Sequence, residues 1–94
     1  MAFPSREVAR YTGLVPAVLR VRGYRFFFFS EEGREPPHIH AAHAGRLAKF
    51  WLEPVRLASN HGFRSHELAE IRQIVLEKRG FLEEKWNRYF PGRL

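Results

Sequence analysis

Two imidazoles stand two residues apart in the segment Glu35-Pro36-Pro37-His38-Ile39-His40. On a strand, such residues share one face and lie roughly 6 to 7 Å apart along the backbone. His38 and His40 could then work as acid and base on a phosphodiester, or as two ligands of a metal ion completed from elsewhere. His43, His61 and His66 are candidate third ligands, and Glu35 is a carboxylate neighbour. A structural reading stands beside these. In it His38 bonds backbone after the two prolines, and His40 packs against an aromatic ring. Lys49 joins the candidates because it sits among Ala48, Phe50 and Trp51. A lysine held near desolvating rings gives up its proton more readily and can act as acid or base. The ordinary alternative is a stem laid on apolar surface with its amine in water.

Arg20, Arg22, Arg25 and Arg46 are the candidate nucleic-acid contacts. Arg20 and Arg22 share a strand face by spacing, and with Lys49 the arginines could line a groove for a phosphate backbone. A solvated sheet edge that resists aggregation is the alternative. The net charge of +6 comes from sixteen basic groups, thirteen of them Arg, against ten acids. Residues 1–64 hold ten basic groups against five acidic ones, and residues 65–94 six against five. The guanidinium fork suits phosphate and carboxylate alike, so RNA, DNA or an acidic protein fits as partner. Every acid is Glu and there is no Cys. Thiolate catalysis, Cys zinc sites, disulfides and Asp-based triads or metal centres are excluded. No cofactor is called for. The composition suits a reducing cytoplasm, and no stretch reads as a signal peptide or approaches the roughly 18 apolar residues of a membrane span.

The elements that must position these groups follow from period and punctuation. Residues 1–15 read as an N-terminal arm, and residues 16–94 as one α+β domain. Val18 to Val21 and Tyr24 to Phe29 form a hairpin about Arg22-Gly23. Phe26 to Phe29 places Phe on both faces, so this strand is interior and covered twice. Its rings could instead stack bases, though Phe without a polar handle prefers the core. His38 to His43 is a third strand, with His43 opposite to the histidine pair. Leu47 to Glu53 is a fourth, stopped by Pro54, and Val55 to Ser59 is a fifth strand or a connection. From Ser65, the expected N-cap, Leu68, Ile71, Val75, Leu82, Trp86 and Tyr89 or Phe90 recur at helical spacing. Gly80 marks a bend or split. The expected fold is α+β: a small, mostly antiparallel sheet of about four strands with a long C-terminal helix packed on one face.

Taken in order, Pro16 through Arg20, Gly23-Tyr24-Arg25-Phe26, Glu35 through His40, Ala48 through Val55, Gly62-Phe63, Glu67 through Val75 and Trp86 through Phe90 resemble a bacterial family, domain of unknown function 4160. The resemblance spans about residues 16 to 90. Its hallmark positions map onto Pro36, Pro37, His38, His40, Lys49, Trp51 and Pro54. Ala41 departs from it, where a β-branched residue is common, as do Gly80 and the Arg-containing N-terminal arm. The resemblance implies a cytoplasmic component of a toxin–antitoxin system, bound to a cognate small protein encoded in the same operon. Two functions follow as expectations. One is a small toxin-like ribonuclease or RNA-binding protein using the His-x-His pair and a basic sheet face. The other is a non-catalytic antitoxin or partner-docking module with structural histidines, binding DNA or an acidic protein. A homodimer is left open.

Overall fold

A computed structural model describes residues 18–29 and 34–91, so the arm expected over residues 1–15 lies outside the described part. Five strands follow one another: β1 (Leu19–Val21), β2 (Tyr24–Phe27), β3 (His38–His43), β4 (Arg46–Leu52) and β5 (Val55–His61). Each pairs antiparallel with the next, in the spatial order β1-β2-β3-β4-β5. Two helices close the chain, α1 (Ser65–Glu77) and α2 (Arg79–Tyr89). The fold is α+β, as expected from the sequence.

Turn chemistry explains the meander. Arg22 and Gly23 have φ of 52° and 86°, and Ala44 and Gly45 have φ of 49° and 81°. Two successive left-handed residues make the hairpin turn whose twist matches that of its strands. Both turns place glycine second, where that conformation costs nothing. The β4–β5 connection turns at Glu53-Pro54, whose peptide bond is cis.

Two details differ from expectation. The fifth strand is a full seven residues rather than a connection. Lys49 pairs with Ser59 while Phe50 pairs with Leu57, so Ala58 is the extra residue of a bulge. A bulge breaks the two-residue alternation, and it hid the strand in Val55-Arg56-Leu57-Ala58-Ser59-Asn60-His61. The C-terminal helix is two helices, and the break falls at Lys78 rather than Gly80. After Ile74 and Val75 the apolar stripe needs a partner at 78 or 79, and the chain offers Lys78 and Arg79 instead. Breaking there lets Ile71, Ile74 and Val75 of α1 and Leu82 and Trp86 of α2 all reach the same core.

The start of α1 also moves by one residue. Arg64, not Ser65, is the N-cap, with φ −86° and ψ 166°. The Arg64 N–H donates to Glu67 Oε1 at 2.8 Å, so the side chain three residues on satisfies it. Asn60 steadies the approach, bonding both the N–H and the carbonyl of Phe63 at 3.0 Å.

The helices cover the sheet face that carries Tyr24, Phe26, Ile39, Ala41, Ala48, Phe50 and Leu52. Ala41 pairs directly with Ala48 at the centre of this face. Two small residues there leave room for the larger side chains of α1 and α2. Phe26 and Phe28 belong to this core, while Phe27 is buried in a second cluster with Ala42, Phe29 and Leu47. Phe26, Phe27 and Phe28 are therefore buried in and beside an interior strand, with Phe26 and Phe27 on its opposite faces, while Phe29 is half-buried.

Candidate functional site on the histidine face

Register assigns the second sheet face row by row. Phe27 pairs with His40, His40 with Lys49, and Lys49 with Ser59. The next row runs His38, Trp51, Arg56. On the other side of the centre the row is Arg20, Arg25, Ala42, Leu47, His61. Phe27, His40 and Ala42 in the middle are buried, whereas Arg20, Arg25, Arg56, Ser59 and His61 toward the edges are exposed.

The two imidazoles are neighbours, with ring centroids 5.4 Å apart. Both are buried: His38 is 0% exposed and His40 is 5%. His38 stands at the start of β3, where its Nδ1–H donates to the Pro36 carbonyl at 2.9 Å. Its ring lies 5.6 Å from that of Trp51 and 4.8 Å from that of Trp86 on α2, which closes over this end of the sheet. His40 stacks on Phe27 at 5.5 Å and meets Phe29 edge-on at 4.7 Å.

Lys49 connects the histidines to the preceding loop. Its Nζ donates to Glu35 Oε1 at 2.6 Å and sits 4.7 Å from the centre of the Trp51 ring. The same Glu35 oxygen is 3.6 Å from His38 Nδ1. The Leu52 N–H donates to the Pro37 carbonyl at 3.0 Å, sewing the end of β4 to the proline pair. Pro36, Pro37, His38, His40, Lys49 and Trp51, spread over sixteen positions, thus form one connected cluster with Glu35.

Residues 23–87 match the family described as domain of unknown function (DUF4160). The chain belongs to that family. No curated protein and no solved structure matches it.

The arginines of this DUF4160 chain do not stay together as their spacing suggested. Arg20 and Arg25 face each other across β1 and β2 on the histidine side. Arg22 lies in the hairpin turn rather than on Arg20's face, and its guanidinium reaches Glu70 of α1 at 3.4 Å. The turn resets the alternation, which is why spacing alone misplaced it. Arg46 is on the helix side too: it pairs with Glu67 at 3.3 Å and lies 5.7 Å from the Phe63 ring. A single groove lined by all four arginines and Lys49 is therefore not assembled. His43 points opposite to the histidine pair, as expected, with Nδ1 3.0 Å from the Gly23 carbonyl and its ring edge-on to Tyr24. Among the described residues, no three His or Glu side chains gather as a metal-binding group.

Two acidic residues of α1 outside the candidate set, Glu67 and Glu70, organise the helix side. Glu70 takes Arg22 and accepts the Tyr24 hydroxyl at 3.1 Å. Burial, reinforced by that carboxylate, raises the Tyr24 hydroxyl above its usual pKa. Glu67 takes Arg46 and the Arg64 N–H, and the latter bond chiefly holds its carboxyl below the usual range. Arg79 bridges Glu83 and Glu53, which raise its pKa further and tie α2 to the β4–β5 turn. Arg56, on the histidine face, was also missed. The bulge at Ala58 obscured its strand, and only register recovers it.

Proposed function

We propose that this DUF4160 protein is a non-catalytic docking component of a two-gene toxin–antitoxin module in the cytoplasm. In this reading His38 and His40 hold the fold, and the chain acts by binding its cognate small protein and DNA. The burial of both imidazoles carries the proposal. A general acid or base must come within hydrogen-bond reach of the proton that it moves. Rings enclosed by Phe27, Phe29, Trp51 and Trp86 leave a phosphodiester no approach. What the cluster does supply is a fixed geometry. His38 and Lys49 pin the Glu35-Pro36-Pro37 segment to β3 and β4, and buried polar groups with partners specify one arrangement of backbone.

The ribonuclease reading keeps one support. Lys49 and Glu35 form an ion pair at partial exposure, with side chains 18% and 45% accessible. That pair, rather than the histidines, could meet a substrate. Co-expression with the neighbouring gene product, followed by purification and RNA-cleavage assays on the chain alone, tests both readings. Docking predicts a stable complex, no cleavage, and a fold lost or weakened in His38→Ala. Cleavage that disappears in Lys49→Met or His40→Gln while melting is unchanged would establish the enzyme instead.

A further inference from the structure

The five strands contain five cations, Arg20, Arg25, Arg46, Lys49 and Arg56, and not one carboxylate. Arg46 turns to the helix side and is neutralised by Glu67, and Lys49 is neutralised by Glu35. The remaining arginine ion pairs among the described residues also lie away from β1 and β2's histidine side: Arg22 with Glu70, Arg79 with Glu53 and Glu83, and Arg88 with Glu84. Arg20 and Arg25 are exposed, directly opposed across β1 and β2, and have no carboxylate partner among the described residues. Like charges in that register repel and weaken the sheet. An anion shared between the two guanidinium forks reverses the sign, because each fork can donate two parallel N–H bonds to one oxyanion.

We infer that the Arg20–Arg25 pair is a phosphate grip for the backbone of duplex DNA. This deepens the docking reading above and rests on it. Three observations select this occupant. Binding single strands needs exposed rings for base stacking; Phe26, Phe27 and Phe28 are buried, and the half-buried Phe29 and Trp51 are engaged with His40 and with His38 and Lys49. A protein partner needs an apolar anchor at the centre of its contact. The large exposed apolar residues of the described chain are Leu57, Leu76, Phe81 and Tyr89, and none belongs to the histidine face. The row beyond Arg25, through Ala42 and Leu47 to His61, adds no acid that would repel a phosphate chain. Charge without stacking or an apolar anchor fits a duplex, which offers phosphates and hides its bases.

The test is fluorescence anisotropy of a labelled duplex of about 20 base pairs, titrated with the full chain from about 50 to about 200 mM salt. Each phosphate contact contributes about 0.9 to the slope of log affinity against log salt. Arg20→Gln and Arg25→Gln should each make the slope shallower by about one, and the double variant by about two. Arg22→Gln and Arg72→Gln remove the same charge elsewhere and should leave the slope as it is. Without DNA, Arg25→Gln should melt no lower than the native chain, because it relieves the opposed pair. No binding at low salt, equal slopes in all variants, or binding of a polyglutamate peptide in preference to the duplex would each overturn the inference. A chain that co-purifies with its operon partner yet ignores the duplex overturns this grip alone and leaves the docking reading standing. Failure to co-purify sinks that reading whatever the duplex does.

Discussion

Lys49 Nζ lies 2.6 Å from Glu35 Oε1, joining the middle of β4 to the loop that enters β3. The lysine amine also lies over Trp51, 4.7 Å from the ring centre. The two partners differ in how much each would cost to lose. Glu35 is half in water, so an ion pair of this kind contributes about 0.2 to 1 kcal/mol. Lys49 adds stem packing and a cation–π contact of about 0.5 to 1 kcal/mol. Lys49→Ala should therefore destabilise more than Glu35→Ala in urea unfolding. The double-mutant cycle should return a coupling below about 1 kcal/mol. A coupling several times larger would mean that the pair is far better shielded than its exposure implies.

His38→Ala should be the costliest change on the histidine face. It removes a fully buried ring from between Trp51 and Trp86 and abandons the bond to the Pro36 carbonyl. Cavity formation and a lost buried hydrogen bond together amount to about 2 to 4 kcal/mol. His61→Ala, at an exposed position of β5, should stay within about 0.5 kcal/mol of the native chain. Equal melting temperatures for the two variants would contradict the structural role of His38.

Acid should weaken the protein partly through Glu67. The Arg64 N–H, with help from Arg46, holds its carboxyl below the ordinary value of 4.5, although partial burial opposes this. A group with a lowered folded pKa contributes stability above its unfolded pKa and loses it as pH falls through the folded one. The Glu67 contribution is thus complete at neutral pH and fades below about 4.5. Glu67→Gln should lower the melting temperature at pH 7, and the gap from the native chain should close as pH falls through that window. A gap that is constant with pH would show that the charge of Glu67 is not what matters.

Gly80→Ala should stabilise. Gly80 lies in the first turn of α2, and a Cβ built there has nothing within 4 Å. Alanine is favoured over glycine in a helix by roughly 0.5 to 1 kcal/mol, and no neighbour has to move to accept it. Thermal melting checks this directly. A drop would indicate that the glycine supports the break at Lys78 in some way beyond its own backbone.

Local signals made much of this fold legible before any coordinates. Arg22-Gly23 announced its hairpin, Pro54 stopped β4, and the spacing of Leu68, Ile71, Val75, Leu82 and Trp86 marked the helical stripe. The placement of His38 and His40 on one side and His43 on the other followed from alternation alone. Each of these depends on neighbours along the chain, which is why the residue order carried it.

Other features depend on partners far apart in sequence. The bulge at Ala58 concealed β5 and with it the position of Arg56. The charged gap at Lys78-Arg79 split the helix two residues before the glycine that drew attention. Above all, the cationic residues looked like a single patch until the tertiary structure sorted them. Glu67 and Glu70 of α1 hold Arg46 and Arg22 on the helix side, and the register of β1 and β2 leaves Arg20 against Arg25 on the other. Composition counts charges, but only packing decides which of them meet an opposite charge. Residue order carried β1 to β4, the turns between them and the histidine pair; only packing enclosed those histidines, because burial is a property of what closes over a side chain rather than of the side chain itself.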